Sequence, residues 1–353
     1  MYVLLLSILL LSISWFRVHH LSRIQLVILF LVKIGFGTAL TLIYTYHYTD
    51  RSKQDIYKYF DDSKPLYDAF SQNTVHYLQL VTGINDDDPA LKQYLKQTEH
   101  WYRSEQDIFT SNRPLIRFNA VFRLISGGSI YVHTIFMCFL SLCGLIAIFK
   151  LLSPHFQHRK RELIFSIFLL PSVLFWGSGL LKEGLILFSL GILIYSFHKI
   201  LKQSFTIRHL VAFLLGTSIL VSIKLYVFAA LAPALLGQAL FFRLGKERPL
   251  FYHFVALTVI AFLVFLIPRV IPMPTASELI AGKNDQFIEL ARKENAGSFI
   301  EGQQLEPNVG SLLTAVPAAL TNTFLRPFIL TADGLFQKAI ALENLLIYLI
   351  LLL

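Results

Sequence analysis

The sequence predicts an all-α, polytopic transmembrane helical bundle of about nine helices, with two large extracytoplasmic loops that contain helical segments. Three observations lead there. Of 353 residues, 55% are hydrophobic and only 15% charged, with a mean hydropathy of +0.60. A water-soluble domain of that length needs more polar surface to cover its core. Several apolar runs approach the roughly 20 residues that cross a bilayer, and basic residues collect in alternate connecting loops.

The apolar segments fall at 2–16, 24–46, 130–152, 163–179, 184–198, 210–223, 226–242, 254–271 and 337–353. Residues 1–16 are apolar from the start and are followed, not preceded, by Arg17 and Arg23. That order reads as a retained first helix, because a secretory signal carries its positive charge in front. Loop 153–162 holds Arg159, Lys160 and Arg161, and loop 199–209 holds Lys199, Lys202 and Arg208. Loop 243–250 holds Arg243, Lys246 and Arg248. Placing these loops and 17–23 in the cytoplasm satisfies the positive-inside rule, with the N-terminus outside and the C-terminus inside. Residues 47–129 and 272–336 then form the first and second extracytoplasmic loops of a single transmembrane domain, 1–353.

The formal charge of +9 reads as cytoplasmic-loop bias and attraction to membrane lipids, not as a nucleic-acid surface. Cys138 and Cys143 lie in one apolar segment, five residues apart, and read as small buried hydrophobes. Residues 89–109 carry helical periodicity behind Pro89, and the run Asp86-Asp87-Asp88 before it suits an N-cap better than a metal cluster. In the second loop, the polar part 277–308 gives way to an apolar part, 309–330. Pro317 and Pro327 interrupt that part, so it reads as an interfacial or re-entrant helix.

Polar groups beside apolar spans are costly and therefore suspect. Asp50 and Asp55 follow the second span among Tyr44, Tyr46, Tyr48, Tyr57 and Tyr59. The surroundings suit an aromatic interfacial belt, a general base, or an oxygen ligand to a divalent cation. Asp61 and Asp62 could take the same roles. Arg117 and Asn119 precede the third span, with Arg123 beyond, as either headgroup anchors or phosphate contacts. Lys182 and Glu183 follow a glycine-bearing turn, Lys224 sits between two apolar segments, and Arg326 precedes Pro327. Glu343 falls within the last apolar run, and Lys33 in the second is a candidate partner for it. An enzyme reading expects Asp55, Arg117 and Lys224 to converge on one outward-facing cavity.

The stretches D-I-Y-K-Y-F (55–60), R-F-N (117–119), P-S-V-L-F-W-G-S-G-L-L-K-E (171–183), I-K-L-Y (223–226) and L-A-P-A-L-L (231–236), with L-R-P-F (325–328) and A-L-E-N (341–344), together resemble GT-C glycosyltransferases and bacterial multi-pass proteins like them. The resemblance implies a bacterial plasma-membrane protein using a polyprenyl-phosphate-linked sugar in surface polysaccharide or glycoconjugate assembly. It implies Asp55 as the base or a metal-linked acid, with Asp50 as the fallback. By physical inference Arg117, Lys182, Lys224 and Arg326 are phosphate contacts, supported by Glu183 and Asn119. The paired acidic motif of the best-known GT-C groups is not cleanly present. A lipid-linked glycan transporter, a polysaccharide polymerase and a non-catalytic membrane subunit are the other readings.

Overall fold

A computed structural model describes residues 1–48, 50–101, 111–202, 205–245, 247–293, 304–330, 332 and 334–352. Among them there is no strand, only helices and an isolated bridge between Val18 and Leu21. The chain divides into two compact units, Met1–Ala232 and Pro233–Leu353.

The first unit begins with α1, Tyr2–Ser12, and α2, Arg23–Tyr46. Ser22 caps α2 reciprocally: its hydroxyl accepts from the Gln25 amide at 3.2 Å while Gln25 Oε1 accepts from the Ser22 amide at 2.8 Å. Four helices follow, α3 (Asp55–Gln72), α4 (Thr74–Thr82), α5 (Lys92–Leu95) and α6 (Arg113–Ser126). Next come α7, Ile130–Leu152, and α8, Lys160–Ile164. A π turn at Phe165–Leu169 leads to α9, Pro171–Trp176, then α10, Lys182–Lys202, and α11, Ile207–Ile223. Helix α12, Leu225–Leu244, runs across the division between units.

The expected span 163–179 is therefore broken. Pro171 has no amide hydrogen to continue the ladder, and it holds Leu170 extended at φ −58° and ψ 130°. Among the described residues five helices are long and apolar enough to cross a membrane: α2, α7, α10, α12 and α13, Pro249–Val270. Helix α1, with 11 residues, falls short of that length, and α11 has 17. The expected helix 89–109 is short, reduced to a 3-10 turn at Pro89–Leu91 and α5; residues 102–110 lie outside the described part.

Helix α10 packs against α7 and α11, and α2 against α7. The α7–α10 crossing is backbone on backbone. A β-carbon at Gly144 would land on the Leu187 carbonyl, and one at Gly191 on Gly144 itself. Helices without a hydrophobic difference between neighbour and solvent gain most from such close approach. Gly184 meets Met137 one turn-pair away in the same sense, so α7 and α10 run parallel. Gly216 of α11 meets Ser189 and Leu193, while Lys224 at the far end of α11 reaches Glu183, so α11 runs antiparallel to α10. These directions bring loops 17–23, 153–162 and 199–209 to one end, the basic end.

At the other end, α3–α6 form a helical crown. Its core of Ile56, Phe60, Leu66, Leu80, Leu91, Trp101, Leu115 and Ile116 continues into Leu40, Met137, Leu180, Leu185 and Ile223 from the long helices. A second cluster, including Leu10, Phe16, Phe30, Cys138, Leu142, Phe149 and Phe168, fills the half nearer the basic end. Cys138 and Cys143 are buried and unpaired thiols, as small apolar fillers would be.

The second unit continues with α13, then α14, Ala276–Lys293, and α15, Val309–Leu320, with a π turn at Thr321–Leu325. The unit's last helix is α16, Gly334–Leu352. Helix α13 leaves Leu250, Phe251, Phe254, Leu257, Phe262 and Phe265 exposed. A helix apolar all round suits hydrocarbon surroundings, not water. Helix α15 spans about 18 Å at 1.5 Å per residue, too short to cross a bilayer, and none of its residues is buried.

Gly144→Ala and Gly191→Ala are each expected to destabilise the first unit by about 1–3 kcal/mol through overpacking. Gly35→Ala, whose added β-carbon meets nothing within 4 Å, is expected to be neutral or stabilising by up to about 1 kcal/mol. Thermal unfolding of the three variants in detergent checks the contrast.

Candidate functional site

The α2–α3 junction sets the position of the acidic residues. Asp50 caps the 3-10 turn Arg51–Lys53, accepting from the Ser52 amide at 3.1 Å and hydroxyl at 2.7 Å. Asp55 is the first residue of α3, where a carboxylate favours the helix dipole. Its side chain is 53% exposed and pairs with Lys58 at 3.1 Å. Tyr59, one turn on, is buried on the same helix face.

Asp55 has company from distant parts of the chain. Burial first, then the charges of Asp55 and Glu183 and the nearby Tyr44, push the Tyr59 hydroxyl well above its ordinary range. Tyr59 is therefore a neutral O–H at working pH. The same two carboxylates bear electrostatically on Tyr44. The Lys182 ammonium stands 5.9 Å from the Tyr59 ring centre, and Lys224 donates to Glu183 Oε1 at 3.2 Å. Burial lowers the Lys224 ammonium, but Glu183 and Tyr226 outweigh it and hold the group above its ordinary value. Asp55, Tyr44, Tyr59, Lys182, Glu183 and Lys224 thus share one rim, where α2 ends, α3 and α10 begin, and α11 turns into α12.

Beside this rim lies a cavity of about 270 Å³, lined among others by Arg51, Tyr57, Lys58, Asp61, Asp62 and His100. Arg51 clamps Asp61 with two hydrogen bonds of 2.8 Å and covers the Tyr57 ring at 3.6 Å. Asp62 accepts from the Glu99 amide at 3.0 Å and the His100 amide at 2.7 Å, tying the segment after α5 to α3. Burial raises the Asp62 carboxyl despite those bonds. Asp61 and Asp62 are thus engaged in holding the crown, and Asp55 does not line this cavity.

Arg117 is not at the rim. Its guanidinium pairs with Asp86, donates from Nε to the Leu80 carbonyl at 2.9 Å, and lies 5.3 Å from the Trp101 ring centre. The acidic run therefore divides its work. Asp88 caps the next turn by accepting from the Ala90 amide at 2.9 Å, and Asp86 neutralises Arg117. Arg123 is also internal, bonded to the Ser63 hydroxyl at 2.7 Å and the Phe60 carbonyl at 2.6 Å. Asn119 is buried and structural. Its amide donates to Leu115 O at 3.0 Å, and its Oδ1 meets His133 Nδ1 at 2.7 Å. Because Asn119 Oδ1 can only accept, His133 carries its proton on Nδ1. Its Nε2 then accepts from the Ser126 hydroxyl at 2.7 Å. This joint between α6 and α7 rests on His133, which the apolar context of its segment conceals.

Arg326 belongs to the second unit, where its carbonyl accepts from Asn344 Nδ2 at 3.0 Å and its guanidinium lies 6.0 Å from the Phe328 ring centre. Lys33 is buried and donates to the Gly177 carbonyl at 3.2 Å, whereas Glu343 is buried in α16 of the second unit. Among the described residues no three His, Cys, Asp or Glu side chains gather as a metal site. No family model, curated protein or solved structure matches the chain. The resemblance to GT-C enzymes accordingly rests on the motifs quoted above.

From neutral pH up to the ordinary lysine value of 10.5 the Lys224–Glu183 pair contributes fully, and it is lost as pH rises through the higher folded value. The thermal stability of wild type over Glu183→Gln is expected to hold constant from neutral pH to pH 10.5 and to shrink above it, as unfolding scans over that alkaline range will register. Arg123→Gln, which breaks two charge-assisted bonds, is expected to cost about 2–3 kcal/mol. It should also speed limited proteolysis within 47–129.

Proposed function

We propose that this chain is an integral membrane protein of the bacterial plasma membrane. It would transfer a sugar from a polyprenyl-phosphate donor to an acceptor hydroxyl on the outer face, in surface polysaccharide or glycoconjugate assembly. The membrane reading is supported by five long apolar helices and by the apolar surface α13 leaves open. Gathering three basic loops at one end supports a cytoplasmic basic end and an outward crown.

The observation that carries the enzymatic reading is the shared rim. A half-exposed carboxylate, Asp55, lies near two lysines and a neutral tyrosine hydroxyl where a lipid-linked head group meets water. In the proposed reaction Asp55 takes the proton of the acceptor hydroxyl, and that oxygen attacks the anomeric carbon. The bond from that carbon to the phosphate oxygen breaks, and the leaving polyprenyl phosphate keeps its electron pair. Lys182 and Lys224 offset the growing phosphate charge, with Tyr59 O–H as a donor to it. Glu183 holds Lys224 at the rim when no anion is present. Arg117 and Asn119 take no part in this version; they hold the crown that presents Asp55.

With labelled polyprenyl-phosphate sugar and protein in lipid vesicles, Asp55→Asn is expected to lower turnover by about 10²–10⁴-fold. Equal turnover by variant and wild type would remove Asp55 from the role. A loss confined to Asp50→Asn would pass it to Asp50.

A further inference from the structure

We propose that the basic end of the first unit holds a second site, for a phosphate-bearing anion, in a cavity of about 400 Å³ that no part of the transfer reaction uses. Three separate stretches build it. Arg17 and His19 come from the turn between α1 and α2, Lys150 and His155 from the end of α7, and His198, Lys199 and Lys202 from the last turns of α10. Ser153 and Tyr195 add neutral hydroxyls. No carboxylate belongs to the lining.

That composition differs from the ion-paired part of the crown, although Arg123, also in the crown, is held by a hydroxyl and a carbonyl. At the crown, the cations Arg51, Lys58, Lys64, Arg117 and Lys224 each lie against a carboxylate. In the cavity the neighbouring charges share one sign. Lys199 bears on Lys150, and Lys202, Lys199 and His155 bear on His198. Aromatic faces and a carbonyl relieve only part of this. The Lys150 ammonium lies 4.3 Å from the Trp15 ring centre and donates to the Trp15 carbonyl, and Lys199 lies 5.5 Å from the Tyr195 ring centre.

Two simpler causes explain the sign of the charge. Cations complement the negative ends of α7 and α10, and cytoplasmic loops are basic. Neither explains why the cations line a concave space of ligand size, for which roughly 300–1,000 Å³ is usual. An anion rich in oxygen acceptors satisfies both the shape and the repulsion. A phosphate or diphosphate is the matching chemistry, whether on a phospholipid head group or free in solution. Helix α10 has 21 residues, which puts this site roughly 30 Å from the Asp55 rim. Its occupancy is therefore testable apart from sugar transfer.

The full chain is purified in neutral detergent and its thermal unfolding followed while inorganic pyrophosphate is titrated. In parallel, it is placed in phosphatidylcholine nanodiscs with and without phosphatidylglycerol. A saturable rise in midpoint with pyrophosphate identifies a free phosphate as the source. A rise only with phosphatidylglycerol identifies a head group. In either case the Lys199→Gln/Lys202→Gln double variant is expected to bind at least ten-fold more weakly, and Arg159→Gln, outside the cavity, to bind as wild type does. Should the double variant fail to fold, His155→Gln, altered on an exposed turn, is expected to weaken binding several-fold. The site is overturned if neither arm shifts wild type, if the cavity variants respond as wild type does, or if Arg159→Gln loses the response equally.

Discussion

The contact of α7 with α10 at Gly144 and Gly191 is the constraint on which the first unit depends. Because two backbones touch there, the helices cannot slide past one another without a clash. Their parallel course aligns both starting ends at the crown and both finishing ends opposite. Helix α11 returns beside α10 through Gly216 and so delivers Lys224 to Glu183. The fold's two polar ends follow from that single crossing, and each acquires its own chemistry.

The crown shows how polar groups are accommodated next to apolar spans. Asp62, Arg117, Arg123, Asn119 and His133 are each bonded within the crown or to the first turn of α7. A buried polar group without a partner costs more than a made bond returns, so these residues fix how α3, α4 and α6 sit on the long helices. Asp55 is different: its side chain is half in solvent, and it pairs with Lys58, a neighbour on the same helix. Such an exposed pair is worth little to stability, so Asp55 is not needed to hold the crown together.

The two ends also differ in how charge is balanced. At the rim, Lys224 and Glu183 offset one another, so a phosphate leaving group would compete with a carboxylate for the ammonium. At the basic end, Lys150, Lys199 and Lys202 line one cavity without a carboxylate in its lining. The first unit thus presents one balanced and one unbalanced polar end, separated by the length of its apolar helices.

Much of this was legible from residues alone. The apolar periods marked all five long helices within a few residues, and three of the four basic loops, 17–23, 153–162 and 199–209, lie at one end of the first unit. Asp88 as an N-cap and the cysteines as fillers followed from local chemistry. Pro171 was also visible, yet the apolar run around it hid that it splits the segment. What composition did not reveal was pairing across distance. Arg117 and Lys224 read alike as cations beside spans, but one meets Asp86, 31 positions away, and the other Glu183, 41 positions away. His133 and Tyr59 passed as ordinary members of apolar and aromatic stretches. The sequence by itself determined which segments are helical and apolar, because those properties are local and additive along the chain. Only the tertiary structure decided which charges are neutralised, which remain open and which enclose a cavity, because those depend on the close approach of helices that the glycines permit.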